Sequence, residues 1–386
     1  MTEKFVSIVV PALNEEKTIG EFIDWCKEGL TSAGAKGEIL IMDSSEDRTA
    51  EIAVEHGARV VRVSQRGLGQ AYIEALSNIK GEYVVMGDCD LTYDFRQIKP
   101  FLLKLDEGYN FVIGTRIRGE MEKGSMPPLH RYFGNPLTTF ILNVIYGSRF
   151  SDIHCGMRAM TIDALRKIDL ESISWEYASE MVLKACRNKF RIAEVPISFH
   201  KDMIGRLSHH KRSGWMSPWK AGWINLKVMF LYAPDYFLEA PGIVAISAGL
   251  ILSLGLCTGP VTVFGKTLSL YWLLAGITMT VIGYSALQMT LLAKTVCNFS
   301  SSQIEKYKKI FSYNKGVVSA VFLFGAGLVL LAKFLFYYAE NNYTLPMLSN
   351  SAIVGLLFLI MGFQTFTFTL LFNLIVKKMT DKSGRK

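Results

Sequence analysis

The sequence predicts an α/β domain with a mostly parallel sheet, followed by an all-α membrane region of four spans. Three observations carry this. Strand-like and helix-like stretches alternate from Phe5 to Arg116, a rhythm that predicts right-handed βαβ crossovers. After about Glu239 the composition shifts to long apolar runs, four of them long enough to cross a bilayer. Finally, an apolar run ending in Val84-Val85-Met86 delivers two aspartates spaced i, i+2, Asp88 and Asp90.

The elements follow in order. Phe5 to Val10 is a short buried-strand signal broken by Pro11, and Asn14-Glu15-Glu16 opens a helix with acidic residues in its first turn. Ile19, Phe22, Ile23, Cys26 and Leu30 then recur at helical spacing. Glu38 to Asp43 is the second strand, and Asp43-Ser-Ser-Glu-Asp47-Arg-Thr49 opens a helix through about His56. Ala58 to Val63 is the third strand; Arg66-Gly67-Leu68-Gly69 turns into another helix. The strand ending at Asp88 comes next, then a helix from Phe95 to Gly108 and a strand from Phe111 to Arg116. In such sheets ligands bind beyond the carboxyl ends of the strands. Asn14, Asp43, Gly67, Asp88, Asp90 and Arg116 all fall at those ends, so one site built from them is expected.

Net charge is +8, with 42 Lys and Arg against 34 Asp and Glu, a balance compatible with nucleic acid or an anionic membrane surface. The apolar runs select the membrane; no nucleic-acid partner is expected. The six cysteines are scattered without a Cys-x-x-Cys pair, which fits neither a disulfide framework nor a zinc site. Met1-Thr-Glu-Lys leads straight into a strand-like run, so no signal peptide is expected. Arg66-Gly67-Leu68-Gly69 is not a GxGxxG fingerprint and no Walker lysine is present, which disfavours a plain dehydrogenase or P-loop NTPase.

Residues 127–146 and 213–232 mix apolar residues with Lys, Arg and, in the second, Trp215, Trp219 and Trp223. Such helices lie in a membrane interface or pack on the sheet; for the second stretch the interface is favoured, because spans follow directly. The spans are placed at about 241–259, 268–292, 317–338 and 352–376. Lys294, Lys306, Lys308, Lys309 and Lys315, and the tail with Lys377 and Lys378, mark one side as cytoplasmic. Both termini and the α/β domain are expected there. Gly249, Gly255, Gly276, Gly283, Gly325 and Gly327 permit close helix approach, within a chain or between subunits of a homo-oligomer. The expected division is 1–212 for the α/β domain, 213–239 for the interface helix and 240–386 for the membrane region.

Asp88 and Asp90 suit a hard divalent cation, Mg²⁺ or Mn²⁺, of the kind that sits on a diphosphate. A solvated turn after a buried strand is the plainer reading of the pair alone. Its context decides. Pro11-Ala12-Leu-Asn14-Glu15, Asp43-Ser-Ser-Glu-Asp47-Arg-Thr49, Gly67-Leu-Gly69 and Asp88-Cys89-Asp90 arrive in the order that resembles the inverting family 2 glycosyltransferases with the GT-A fold. Asp152-Ile-His-Cys-Gly156-Met-Arg158, the basic loop at residues 201–212 and the four spans resemble the polyprenyl-phosphate hexose synthases, the dolichol-phosphate mannose synthase type. The chain departs from most relatives at Cys89, where they have a small residue such as Ala, and at Leu91-Thr92-Tyr93-Asp94, where many have Gln-His-Pro-Pro.

The resemblance implies roles. Pro11, Ala12, Asn14, Glu15 and Gly67 line the nucleotide-sugar pocket, Asp43 holds base or ribose, and Cys89 sits between Asp88 and Asp90, which bind the sugar-nucleotide phosphates through the metal. Arg116 and Arg131, with Arg158 and Lys211, bind the lipid phosphate, and Arg206 reaches back from the basic loop. Asp90, Arg116, Arg131 and Arg206 form the implied catalytic set. Asp152 occupies the position of the base in relatives that glycosylate hydroxyls; here it is expected to orient an arginine or the sugar. The implied reaction moves mannose or glucose from a UDP- or GDP-sugar to dolichyl or undecaprenyl phosphate. A processive polysaccharide synthase is the nearest rival, and Gln-x-x-Arg-Trp, the motif that holds its growing chain, is missing. A non-enzymatic membrane scaffold or lipid flippase is the third reading, against which the acidic pair with Asp43 and Arg116 stands.

Overall fold

The computed structural model describes residues 4–202, 223, 227, 234–296, 301–342 and 349–383. The chain divides into two compact units, Met1–Tyr232 and Ala233–Lys386.

The first unit is a seven-stranded sheet with helices on its faces. Its elements are β1 (Val6–Ala12), α1 (Ile19–Ala33), β2 (Gly37–Asp43), α2 (Thr49–Glu55), β3 (Arg59–Arg62), α3 (Leu68–Ala75), β4 (Tyr83–Met86), α4 (Lys99–Asp106), β5 (Phe111–Met121), α5 (Asn135–Tyr146), β6 (Arg158–Thr161), α6 (Ile162–Ile168), α7 (Tyr177–Arg187) and β7 (Ile192–Phe199). The sheet order is β3-β2-β1-β4-β6-β5-β7. β1 is apolar apart from the buried Ser7, because both faces are covered; Val6, Ile8, Val9 and Val10 are fully buried. α1 turns Ile19, Phe22, Ile23, Cys26 and Leu30 inward, the predicted stripe, and ends on Gly34 in the left-handed region.

The first four strands are parallel, whereas β6 runs antiparallel to both β4 and β5. This insertion separates β5 from β4 and carries the Asp152–Arg158 segment to the centre of the sheet. β5 runs five residues past the predicted end at Arg116 and pairs with β7, with a register shift between Thr115 and Glu120. Beyond β7, His200 N–H donates to Thr92 O at 2.8 Å and Lys201 N–H to Glu122 Oε2 at 2.8 Å.

α5 does not bury an apolar stripe on the sheet. Its buried residues are Asn135, Thr139 and Leu142, while Leu137, Phe140 and Val144, with Phe133 just before the helix, face outward, Phe140 at 65 % exposure. Of the second amphipathic stretch, only Trp223 and Lys227 are described; Lys227 Nζ lies 5.6 Å from the Trp223 ring centre. The rest of 213–232 lies outside the described residues.

The second unit holds four long apolar helices: α8 (Ala240–Gly255), α9 (Leu270–Val296), α11 (Tyr313–Glu340) and α12 (Asn350–Ser383). Between α8 and α9 the chain forms a short hairpin, β8 (Val261–Val263) and β9 (Lys266–Leu268), and between α9 and α11 a helix α10 (Ser301–Ile310), neither of which the apolar pattern announces. The helices pack through glycine. A Cβ on Gly249 would lie 2.5 Å from Thr280 N, and one on Gly283 2.5 Å from Ile246 N, which seats α8 on α9. On the other side, a Cβ on Gly327 would lie 2.7 Å from Gly355 O. Tyr284 and Thr365 hydroxyls, 2.6 Å apart, and Gln364 Nε2 donating to Ser285 Oγ at 3.0 Å tie α9 to α12. Gly249, Gly276, Gly283 and Gly327 are therefore used inside the chain, and Gly255 and Gly325 meet nothing within 4 Å. The glycines give no support to a homo-oligomer.

Candidate active site

The ends of β1, β2 and β4 are adjacent, and they gather the expected residues. Ala12 pairs in register with Asp43, and β4 releases Gly87 and Asp88 one strand away. The loops after β1 and β2 are stitched together. Asn14, at φ 58, accepts from Glu46 N–H through Oδ1 and donates its own N–H to Ser45 Oγ at 2.8 Å. Glu15 N–H donates to Thr49 Oγ1 at 2.8 Å. The Asp43 carboxylate is fully buried; Oδ1 accepts from Ser45 N–H, and Oδ2 forms an ion pair with Arg62 at 2.5 Å.

β4 ends at Met86, so the acidic pair stands on a turn rather than on a strand leaving the sheet. The alternation survives in the turn: Asp88 and Asp90 are half-exposed, and Cys89 between them is buried. The Cys89 thiol donates to Pro11 O at 3.3 Å, sewing this turn to the end of β1 and taking its side chain out of the pocket. Leu91 adopts φ 62, and Asp90 Oδ1 accepts from the N–H of Thr92 at 3.1 Å, an Asx turn that fixes its carboxylate. Asp88 is given room by Gly156, where a Cβ would lie 2.9 Å from Asp88 Oδ2. Gly156 N–H in turn donates to the buried Tyr93 hydroxyl at 2.8 Å. Tyr72 donates to Gly87 O at 3.0 Å and packs on Tyr177, ring centres 5.0 Å apart. Burial pushes all three phenols up, so they stay neutral hydrogen-bonding groups.

Arg116 is not held out to solvent. Its Nε donates to Asp152 Oδ2 at 2.7 Å and its Nη2 to Oδ1 at 2.9 Å, with Asp152 fully buried. Burial works against the carboxylate, and the facing guanidinium outweighs it, leaving Asp152 below its ordinary range. Arg158, expected on the lipid phosphate, is instead buried at 1 % exposure and donates to Cys155 O, Ala178 O and Ile153 O, so it organises backbone. Arg131 lies half-exposed in the turn leading into α5, against the Tyr132 ring. Arg206 and Lys211 lie outside the described residues. Of the described members of the expected lipid-phosphate set, Arg116 and Arg158 are buried and Arg131 is half-exposed before α5.

His154 is a residue that sequence reasoning did not single out. Its Nε2 lies 2.7 Å from Thr138 Oγ1, linking α5 to the Asp152–Gly156 segment. Burial lowers its pKa to about 4, with Arg116, Arg158 and His130 adding to the effect and Asp152 opposing it. The unfolded chain takes up this proton near pH 6.5, and the folded protein does so only near 4. Stability contributed by neutral His154 is therefore complete above pH 6.5 and lost as pH falls towards 4. His154→Asn is expected to flatten that part of the curve of unfolding temperature against pH; an unchanged slope would remove the assignment.

Comparisons with known proteins now have a geometry to rest on. Residues 7–169 match the model of glycosyl transferase family 2, and residues 295–376 match the family 2 C-terminal transmembrane region. The chain is 38 % identical over 280 residues to the low-salt glycan biosynthesis hexosyltransferase Agl6 of Haloferax volcanii, covering 72 % of this chain and 66 % of that one, just under two thirds of its length. It is 32 % identical over 199 residues to a dolichyl-phosphate hexose transferase of the same organism, covering 51 % of this chain and 83 % of that one. Among solved structures, glucosyl-3-phosphoglycerate synthase from Mycobacterium tuberculosis, in complex with Mn²⁺, UDP and glucosyl-3-phosphoglycerate, shares 22 % identity at a TM-score of 0.47, over 60 % of this chain and 80 % of that one. The sheet with its acidic turn thus belongs to a glycosyltransferase. The chain is a member of glycosyl transferase family 2, of the type that includes the Haloferax Agl and dolichyl-phosphate sugar transferases.

Proposed function

We propose that this protein transfers a hexose, mannose or glucose, from a UDP- or GDP-sugar to a polyprenyl phosphate, with inversion at the anomeric carbon. The observation that carries the reading is the pairing of Asp152 with Arg116. Both carboxylate oxygens accept from the guanidinium, and the pKa of Asp152 is lowered although burial opposes its charge. A carboxylate so held does not serve as a general base, which a sugar-hydroxyl acceptor needs. A phosphate monoester needs none, because it is already anionic near neutral pH.

The residues fit this task. Asp88 and Asp90 offer two half-exposed oxygen ligands, with Gly156 clearing space beside Asp88. Among the described residues no group of three potential ligands gathers, which suits Mg²⁺ or Mn²⁺ held by one or two carboxylates and by the diphosphate itself. When bound, such an ion neutralises charge on the departing nucleoside diphosphate. Pro11, Ala12, Asn14, Glu15 and Asp43 shape the nucleotide side. Arg131 and Arg116, the latter already paired with Asp152, are the acceptor-side guanidinium groups in this reading. Arginine suits these roles because its fork matches phosphate oxygens in pairs.

The outward apolar face of α5 lies in the membrane interface in this reading, and the lysine-rich loop and tail favour the cytoplasmic side for the α/β domain and both termini. The 32 %-identical relative named as a dolichyl-phosphate hexose transferase supports the choice of acceptor class.

The test is a donor panel. Purified protein in detergent receives polyprenyl phosphate, Mg²⁺ or Mn²⁺, and labelled UDP-glucose, GDP-mannose or another sugar nucleotide. One donor is expected to send metal-dependent label into the organic phase as a mild-acid-labile lipid. Label found only in polymer or protein overturns the acceptor assignment.

A further inference from the structure

We infer that Glu180 is a positioning residue for the donor side of the site, holding the strap Glu171–Ile173 down on the Gly67–Gly69 turn. The inference rests on the donor reading above for its binding measurement, and on geometry for the rest.

Glu180 sits on α7 with no exposure, yet it is a carboxylate. Its Oε1 accepts from Glu171 N–H at 2.9 Å, and its Oε2 from Ser172 N–H at 2.8 Å. Lys184, one turn along α7, lies 2.6 Å from Oε1 and also donates to Asp169 O at 2.6 Å. Burial opposes the charge on Glu180; Lys184 and the two amides outweigh it and keep the carboxylate ionised. One buried side chain thus grips two successive amides of an irregular segment.

The other face of the strap lies on the glycine turn. Ile173 O accepts from Gln70 N–H at 3.0 Å. A Cβ on Gly67 would lie 2.2 Å from Ile173 O, and one on Gly69 1.9 Å from Ser172 O. These glycines therefore admit the chain's own backbone, where the sequence had suggested close approach of a ligand to Gly67. The turn follows β3, at the carboxyl end of the sheet where Asp43 and Asp88 stand. α7 is tied to that end as well: Arg158 Nη1 donates to Ala178 O, and Tyr177 packs on Tyr72, whose hydroxyl binds Gly87 O beside Asp88. Strap, glycine turn and acidic turn are thus linked, and Ile173 of the strap is 49 % exposed.

The experiment uses the full chain in detergent, with Glu180→Gln and Gly69→Ala. Glutamine cannot accept from both amides and hold Lys184, and the alanine pushes the strap from its opposite face without touching α7. Hydrogen exchange of the Glu171–Ile173 amides is expected to rise on the order of tenfold in both, with β1 and β4 unchanged. UDP and GDP are titrated with Mn²⁺. The nucleotide that binds wild type is expected to bind both variants at least about fivefold more weakly, and the donor KM to rise with kcat within about twofold. Unchanged strap exchange in both variants, or a freed strap with unchanged nucleotide affinity, overturns the inference. If Glu180→Gln does not fold, Gly69→Ala decides by the same two readouts. A wild type that binds neither nucleotide overturns the donor reading, and with it the donor-side role, before any substitution is made.

Discussion

Asp90→Ala is expected to lower sugar transfer by about 100-fold or more, because it removes a carboxylate from the group that neutralises the departing diphosphate. The fold should survive. Asp90 is half-exposed, and the Asx turn with Thr92 that it gives up is worth about 1 kcal/mol. Two measurements separate chemistry from folding. Mn²⁺ titration followed by electron paramagnetic resonance, with UDP present, is expected to show weakened metal binding. Thermal unfolding is expected to shift by only a few degrees. Full transfer activity in a folded Asp90→Ala protein would remove this residue from the mechanism.

Asp152→Ala is expected to act in the opposite way, through the fold first. It strands a buried guanidinium, since Arg116 is only 8 % exposed and points its fork at Asp152. Removing one partner of such a pair costs about 3–5 kcal/mol. Denaturant unfolding of the full chain in detergent checks the figure. The double variant Asp152→Ala, Arg116→Met is expected to regain part of that stability, because it removes the unpaired charge, while transfer stays low for want of the arginine. A double variant as unstable as the sum of its single variants would show that the two residues do not act as a pair.

The two substitutions separate what pattern reveals from what it hides. Asp88 and Asp90 were legible because an apolar strand delivers them, and the strand–helix rhythm says that strand ends share a site. The four spans were legible from composition alone. Asp152 was expected, through the family resemblance, to orient an arginine or the sugar; that the arginine is Arg116 was not legible, because the two lie 36 residues apart and nothing local marks the pair. Glu180 and His154 had no signal either, since a single Glu or His on an ordinary helix or loop reads as solvated surface. Arg158 misled for the same reason; charge suggested exposure, and backbone carbonyls buried it.

The sequence by itself determined the α/β rhythm, the strand ends that carry Ala12, Asp43 and Asp88, and the four membrane helices, because each depends on residues close together along the chain. Only the tertiary structure decided that β6 enters antiparallel between β4 and β5, that Asp152 locks Arg116, and that Gly67 and Gly69 receive a strap of the chain's own backbone. Those outcomes depend on which distant segments meet. A periodicity of 2 or 3.6 records which face of an element is buried, and carries no information about what lies against it.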